Sequence, residues 1–240
     1  MKKIVKKIIN SLGFELTRHY KKEFDIIGMK FLVDPCSVGC TPQGELTGKA
    51  AIKLIKEREL KELKVLDICC GVGLVGLTMF QGLKDDKNTI KELVLADINI
   101  FNINSINKTL PYNNMGGLVG NTIRSYLSDG LKGIPENEKF DIIVSNPPHY
   151  FEKSFDNSEI QLTPTRLGTN DAGWNFHRSF YELADRHLTD RGEVWFLENG
   201  FAANEKDLLP FIETNKNLKY VESIKEPLIN KFFWMVSKKA

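Results

Sequence analysis

The chain has 240 residues, 42% of them hydrophobic and 27% charged, a balance that fits a globular protein with one substantial core and excludes a low-complexity or fibrous chain. No apolar run approaches the roughly 18 residues needed to cross a bilayer, and the N-terminus lacks the apolar stretch and small-residue cleavage site of a signal peptide, so the expected location is the cytoplasm. The net charge of +2 is unevenly spread: residues 1–22 carry seven bases and one acid, leaving 26 bases against 30 acids elsewhere, which argues against a body built to coat phosphates.

In that basic arm Ile4, Val5, Ile8, Ile9 and Leu12 fall at helical spacing, predicting a short amphipathic helix over 2–12 that stops near Gly13. Its apolar stripe is expected to dock on the rest of the chain with the lysines in solvent; contact with an acidic surface is the alternative. Residues 25–33 read as a short hairpin, Asp34 to Gly44 as a loop punctuated by two prolines and two glycines, and Glu45 to Glu59 as a helix. The expected organisation is an arm over 1–22, a hairpin plus helix over 23–60, and a main domain over 61–240.

From Lys64 the pattern changes to apolar runs alternating with helical stretches. Val65–Ile68, Leu93–Ala96 and Phe140–Val144 are short and apolar, as strands buried on both faces should be, with Gly117–Val119 a weaker candidate. Helical segments at about 74–83, 99–109 and 175–188 separate or follow them, predicting right-handed βαβ units. Glu193–Leu197 is a further strand, with a helix at about 203–214. Leu218–Ile224 and Phe232–Val236 are joined by too short a loop for a parallel crossover. The expected fold is therefore α/β, doubly wound, with a mostly parallel seven-stranded sheet and an antiparallel C-terminal strand.

The four cysteines, Cys36, Cys40 and the adjacent Cys69 and Cys70, have neither zinc-ribbon spacing nor the look of a disulfide framework, so packed thiols and no metal are expected. Around the second pair, Val65 to Gly76 places Gly71, Gly73 and Gly76 where a strand must turn sharply into a helix. Glycine tolerates positive φ and lets a ligand approach the backbone. Asp97, at the end of the next strand, stands where a carboxylate can accept from both hydroxyls of a ribose. Gly71, Gly73 and Gly76 also satisfy the fingerprint of nicotinamide and flavin enzymes. Asp67, four residues before the first glycine, tips the balance: it suits an amino acid's ammonium group and would repel a pyrophosphate.

Asn146-Pro147-Pro148-His149-Tyr150 follows the strand ending at Ser145. The prolines stiffen the turn and remove its donors, so the Asn146 side-chain oxygen and the Pro147 carbonyl can both accept from one NH2 group. A planar amide or aromatic amine is a poor nucleophile. It needs its nitrogen aimed in line with an electrophile and the positive charge growing on it stabilised.

Taken together, D-I-C-C-G-V-G, the strand ending at Asp97, Ser128-Asp129 and S-N-P-P resemble the class I S-adenosylmethionine-dependent methyltransferases, and among them the HemK-like, methyltransferase small domain group, over about residues 41–200. The resemblance implies S-adenosyl-L-methionine as cofactor, with Asp67, Gly71 and Gly73 along its methionine part, Asp97 on its ribose and Asp129 beside its adenine. Cys69, Ile98, Ser128 and Asn146 complete the expected cofactor-binding set. The competing reading of Asp129 is a turn residue before Gly130. The expected catalytic set is Asn146, Pro147, His149 and Tyr150. The family carries an aromatic residue, commonly tyrosine, after the prolines; here His149 stands there with Tyr150 next, and histidine both stacks and titrates near neutrality.

Residues 151–171 read as a lid or binding loop, and Asp171–His177 resembles the family pattern leading into a helix, with Trp174 and His177 expected to pack rather than catalyse. Thr41 to Thr47 matches the motif before the first family helix in part, and a helix cap by Thr41 or Gln43 explains it equally. The resemblance implies N-methylation of a planar amide or amino group, of the protein-glutamine type. Alternatives are an exocyclic amine of RNA or DNA, a small molecule or glycan, a cofactor-binding accessory subunit, and an NAD-binding oxidoreductase. The acceptor, whether protein, nucleic acid or small molecule, stays open.

Overall fold

The computed structural model describes residues 23–37, 42–85, 90–149, 171–229 and 231–240. The arm over 1–22, Thr41, Tyr150 and nearly all of the 151–171 loop lie outside them.

The core is a seven-stranded sheet in the order β5-β4-β3-β6-β7-β9-β8. Its strands are β3 (Leu63–Ile68), β4 (Ile90–Asp97), β5 (Ile123–Leu127), β6 (Phe140–Ser145), β7 (Leu188–Asn199), β8 (Leu218–Lys225) and β9 (Phe232–Lys239). Neighbours from β5 to β7 run parallel, whereas β9 is antiparallel to both β7 and β8. The helices are α1 (Pro42–Glu57), α2 (Leu74–Leu83), α3 (Ile100–Tyr112), α4 (Asn175–Leu183) and α5 (Glu205–Glu213). Alternation along β3 divides the core: Val65 packs with α1, α2 and α3 on one face, while Leu66 and Ile68 pack with α4 and α5 on the other.

The expected hairpin is β1 (Glu23–Ile26) paired with β2 (Met29–Leu32). Met29 and Phe31 are buried in the first core cluster, and β2 offers its free edge to α3: the backbone N–H groups of Lys30 and Leu32 donate to Asn113 Oδ1 and Thr109 Oγ1. That covers an edge that would otherwise pair with another chain.

One strand lies elsewhere than expected. Gly117–Val119 is not a strand: Gly116–Leu118 forms a single 3-10 turn, and the strand is Ile123–Leu127. The glycine pair supplies no side chain to pack. The true strand sits at the sheet's edge, where only Ile123 of its five residues is fully buried, so its apolar signal is faint.

Two chain excursions leave β3, one outward through β4 and β5 and one returning to β6 on its other side. The carboxyl ends of β3 and β6 are therefore a topological switch point, where α/β folds open a crevice. Asp67 stands one residue before the end of β3 and Ser145 ends β6, and Ser145 Oγ donates to the Ile68 carbonyl across them.

Candidate active site

On one side of the crevice the turn after β3 is wound tightly: Cys69, Gly71 and Gly73 have φ of 56°, 57° and 85°. The glycines serve packing as much as any ligand. A Cβ on Gly76 would stand 2.7 Å from Leu95 Cδ2 and 3.1 Å from Asp67 Cβ, so its absence lets α2 lie against β3 and β4. That contact brings the Gly76 N–H within 2.8 Å of Asp67 Oδ2. The carboxylate thereby takes one of the donors at the α2 N-terminus.

The other oxygen, Asp67 Oδ1, is buried with no hydrogen-bond partner. Burial, against the Gly76 hydrogen bond and with the charge of Asp97 adding to it, pushes this carboxyl up to about 8. An acceptor so placed awaits a donor, and a cationic one would return the carboxyl toward its ordinary range.

Asp97, at the end of β4, ties the turn together. Its Oδ2 accepts from Gly71 N–H at 2.8 Å, and its Oδ1 from Asn99 N–H and Asn102 Nδ2. Burial raises this carboxyl too, against those three hydrogen bonds. A carboxylate has about four acceptor positions, so capacity remains for a hydroxyl. Ile98 and Leu127, half exposed at the ends of adjacent strands, offer apolar surface beside it. Ser128 is buried, its N–H on the Asp97 carbonyl and its Oγ bridging Gly130 O and Gly133 N–H. Asp129 is exposed and paired with Lys132 at 2.6 Å.

Across the crevice Pro147, Pro148 and His149 are buried after β6, and Asn146 is partly exposed. His149 Nε2 lies 2.9 Å from Asn146 Oδ1 and its Nδ1 3.4 Å from Glu198 Oε2 near the end of β7. Phe232 of β9 meets the ring edge-on at 5.5 Å between centroids. The other oxygen of Glu198 lies 3.0 Å from His177 Nε2, and His177 Nδ1 is 2.6 Å from Asp171 Oδ2. Asp171 also receives the Phe176 and His177 N–H groups, capping α4.

His177 and Glu198 are 0% and 1% exposed. Burial opposes charge on the His177 ring, but Glu198 and Asp171 outweigh it and lift the ring to about 9. Burial likewise opposes charge on Glu198, and His177 and His149 hold it down at about 2. His177 and Glu198 thus form a buried ion pair, with Asp171 on the ring's other nitrogen. Among the described residues no group of histidines, cysteines and carboxylates is disposed to hold a metal ion.

The expected residues fall into place unevenly. Asp67, Cys69, Gly71, Gly73, Asp97 and Ser128 gather at the first turn; Asn146, Pro147 and His149 gather at the second; Ile98 and Asp129 sit at the rim; Tyr150 is outside the described residues. His177 does pack, edge-on to Trp174, Phe176 and Phe196, yet both its ring nitrogens also meet carboxylates. Glu198 was missed altogether. Its signal was available: a charged residue closing the apolar run Val194–Leu197, as Asp97 closes Leu93–Ala96.

This architecture is the fold of the class I methyltransferases. It superimposes with a TM-score of 0.59 on a T. thermophilus 16S rRNA N2 methyltransferase in complex with AdoMet and guanosine, at 18% identity over 91% of this chain and 50% of that one. A ribosomal protein methylase from Lactobacillus delbrueckii subsp. bulgaricus gives 0.57 at 15% identity over 95% and 92% of the two chains. Residues 48–163 match the family model of the methyltransferase small domain.

Among relatives, a release factor glutamine methyltransferase of Borreliella burgdorferi is 28% identical over 73% of this chain and 58% of its own length. A ribosomal RNA small subunit methyltransferase C of Pseudoalteromonas translucida is 29% identical over 68% and 39%. The chain covers less than two thirds of the length of these relatives.

Proposed function

We propose that this protein is an S-adenosylmethionine-dependent N-methyltransferase acting on a planar amide or amino group, with a protein glutamine side chain as the first candidate acceptor. The observation that carries the cofactor is Asp67. Its Oδ2 already occupies the Gly76 N–H at the start of α2, where a dinucleotide's pyrophosphate would need donors, and its Oδ1 is a buried acceptor without a partner. With that donor taken, a phosphate finds no partner there, whereas the ammonium of an amino acid suits the unpartnered oxygen. Asp97 would hold a ribose hydroxyl with its remaining acceptor capacity, and Ile98 and Leu127 would flank the adenine.

S-adenosylmethionine supplies an electrophilic methyl group on a sulfonium. The chain's task is then to aim an acceptor nitrogen. Asn146 directly follows β6, the neighbour of the strand that carries Asp67, so an acceptor amide held by the Asn146 oxygen would lie across the crevice from the cofactor. The same oxygen faces the positive charge that grows on nitrogen as it is alkylated. No strong base is needed, because the alkylated nitrogen is acidic enough to release its proton to water.

The glutamine reading is supported by the release-factor enzymes among the relatives. The rRNA enzyme favours a base's exocyclic amine as the second reading, since it presents a similar NH2. Titration calorimetry with S-adenosylmethionine and with NAD tests the cofactor: binding of the first alone is expected, and binding of NAD alone overturns the reading. Tritium transfer from labelled cofactor into separated protein and RNA fractions decides the acceptor. Of the basic arm, we propose only that it contacts an acidic surface.

A further inference from the structure

The acceptor side rests on a buried chain of groups that methyl transfer at Asn146 does not by itself require. Glu198 of β7 faces His149 from behind at 3.4 Å, the Phe232 ring of β9 faces it from the side, and Asn146 of its own turn faces it from the front. Behind Glu198 stand His177 and Tyr181 of α4, and Asp171 ahead of that helix. These are the charged and titratable groups facing His149, directly or through Glu198, among the described residues.

An ionised carboxylate can only accept. Both ring nitrogens of His177 face carboxylates, so both carry protons. One oxygen of Glu198 is thereby committed to His177 Nε2, and the other meets His149 Nδ1, which must carry a proton to be attracted to it. The state of Nε2 is then decided against Asn146.

An amide has two ends of the same shape and opposite hydrogen-bonding character. A cationic His149 would donate from Nε2 and hold the Asn146 oxygen, which lies 2.9 Å from it, leaving the NH2 end to face the acceptor. A neutral His149 with its proton on Nδ1 offers a lone pair at Nε2, which takes the NH2 end and frees the oxygen. Only the second arrangement presents an acceptor to an incoming NH2 group.

We propose that Glu198, clamped by His177, is a positioning residue: it fixes His149 with its proton on Nδ1, so that loss of the second proton from His149 turns the Asn146 oxygen toward the substrate nitrogen. The inference rests on the reading of Asn146 as the residue that holds the acceptor. It makes His149 the element that sets when the site is competent.

The test follows the four histidines by nitrogen-15 NMR of the full chain without cofactor, across pH, alongside the pH profile of kcat/KM for the acceptor. Neutral His149 should be the Nδ1–H tautomer, His177 should stay doubly protonated through neutrality, and the rate should rise with pH at the midpoint of the His149 titration. Glu198→Gln should shift the neutral ring toward Nε2–H, displace that midpoint and lower kcat/KM about 10- to 100-fold, with cofactor affinity unchanged. His149→Gln, which cannot titrate, should flatten the profile.

Neutral His149 found as Nε2–H in the native protein overturns the proposal, whatever the variants do. So does a Glu198→Gln protein with unchanged tautomer and profile. A native protein with the Nδ1–H ring but no cofactor-dependent methyl transfer would instead overturn the reading of the site, and the two failures are thereby told apart.

Discussion

The two sides of the crevice are built on different plans. The side proposed for the cofactor is local: Asp67, Cys69, Gly71, Gly73 and Gly76 lie within ten consecutive positions, joined by one partner, Asp97, from the neighbouring strand. The side proposed for the acceptor is assembled at a distance. Asn146 and His149 depend on Glu198, 49 residues further on, which depends in turn on His177 and Asp171 from another element. A local site can be recognised from spacing because backbone geometry makes it. An assembled site is made by packing, and packing chooses its partners in three dimensions.

The contrast predicts unequal sensitivity. The largest effect should come from Glu198→Ala, which strands the buried, charged His177 ring between Asp171 and a cavity. Chemical denaturation should show a loss of about 3–5 kcal/mol. That loss should depend on pH in a defined sense. His177 is held above its ordinary value, at about 9, so its contribution is complete below about 6.5 and is lost as pH rises toward 9. Glu198 is held below its ordinary value, at about 2, so its contribution is complete above about 4.5 and is lost as pH falls toward 2. The destabilisation should therefore be greatest between about pH 4.5 and 6.5.

The cofactor side should respond in binding rather than in folding. Asp67→Asn keeps an acceptor for the Gly76 N–H but puts a donor where the unpartnered oxygen stands. Calorimetry should show S-adenosylmethionine affinity reduced about 10- to 100-fold, with stability at pH 7 little changed. The native carboxyl is raised to about 8, so native stability declines as pH rises from about 4 toward 8, and the variant should lack that decline. A variant that unfolds while binding normally would erase the contrast between the two sides.

A smaller effect sharpens the same point. At pH 7 the Asp67 carboxyl is largely protonated, and a bound ammonium group favours its ionised form. Binding should then release up to about one proton, measured as the dependence of binding heat on buffer ionisation. The smallest change should follow Asp129→Ala. Its exposed side chain is paired with Lys132, and its loss should alter cofactor affinity by less than about tenfold.

Much of the fold was legible because buried parallel strands are apolar runs and the helices between them are periodic. Ile123–Leu127 escaped because an edge strand hides little from water. At the site, Asp67 could be read since it stands in an apolar run just before a glycine turn, and Asp97 since it closes the next such run. Glu198 closes such a run too, but its meaning depends on His149 and His177, which no spacing connects to it. His177 looked like a packing residue because it is one on its ring faces; only its two nitrogens show the second role.

The most direct test of the account is methyl transfer by Asn146→Ala. With tritiated S-adenosylmethionine and a glutamine-bearing protein acceptor, the native chain should label the acceptor, and the variant should do so about 100- to 1000-fold more slowly while binding the cofactor as well as before. An Asn146→Ala protein that transfers the methyl group at the native rate would contradict the assignment of that side chain, and with it the acceptor half of the site.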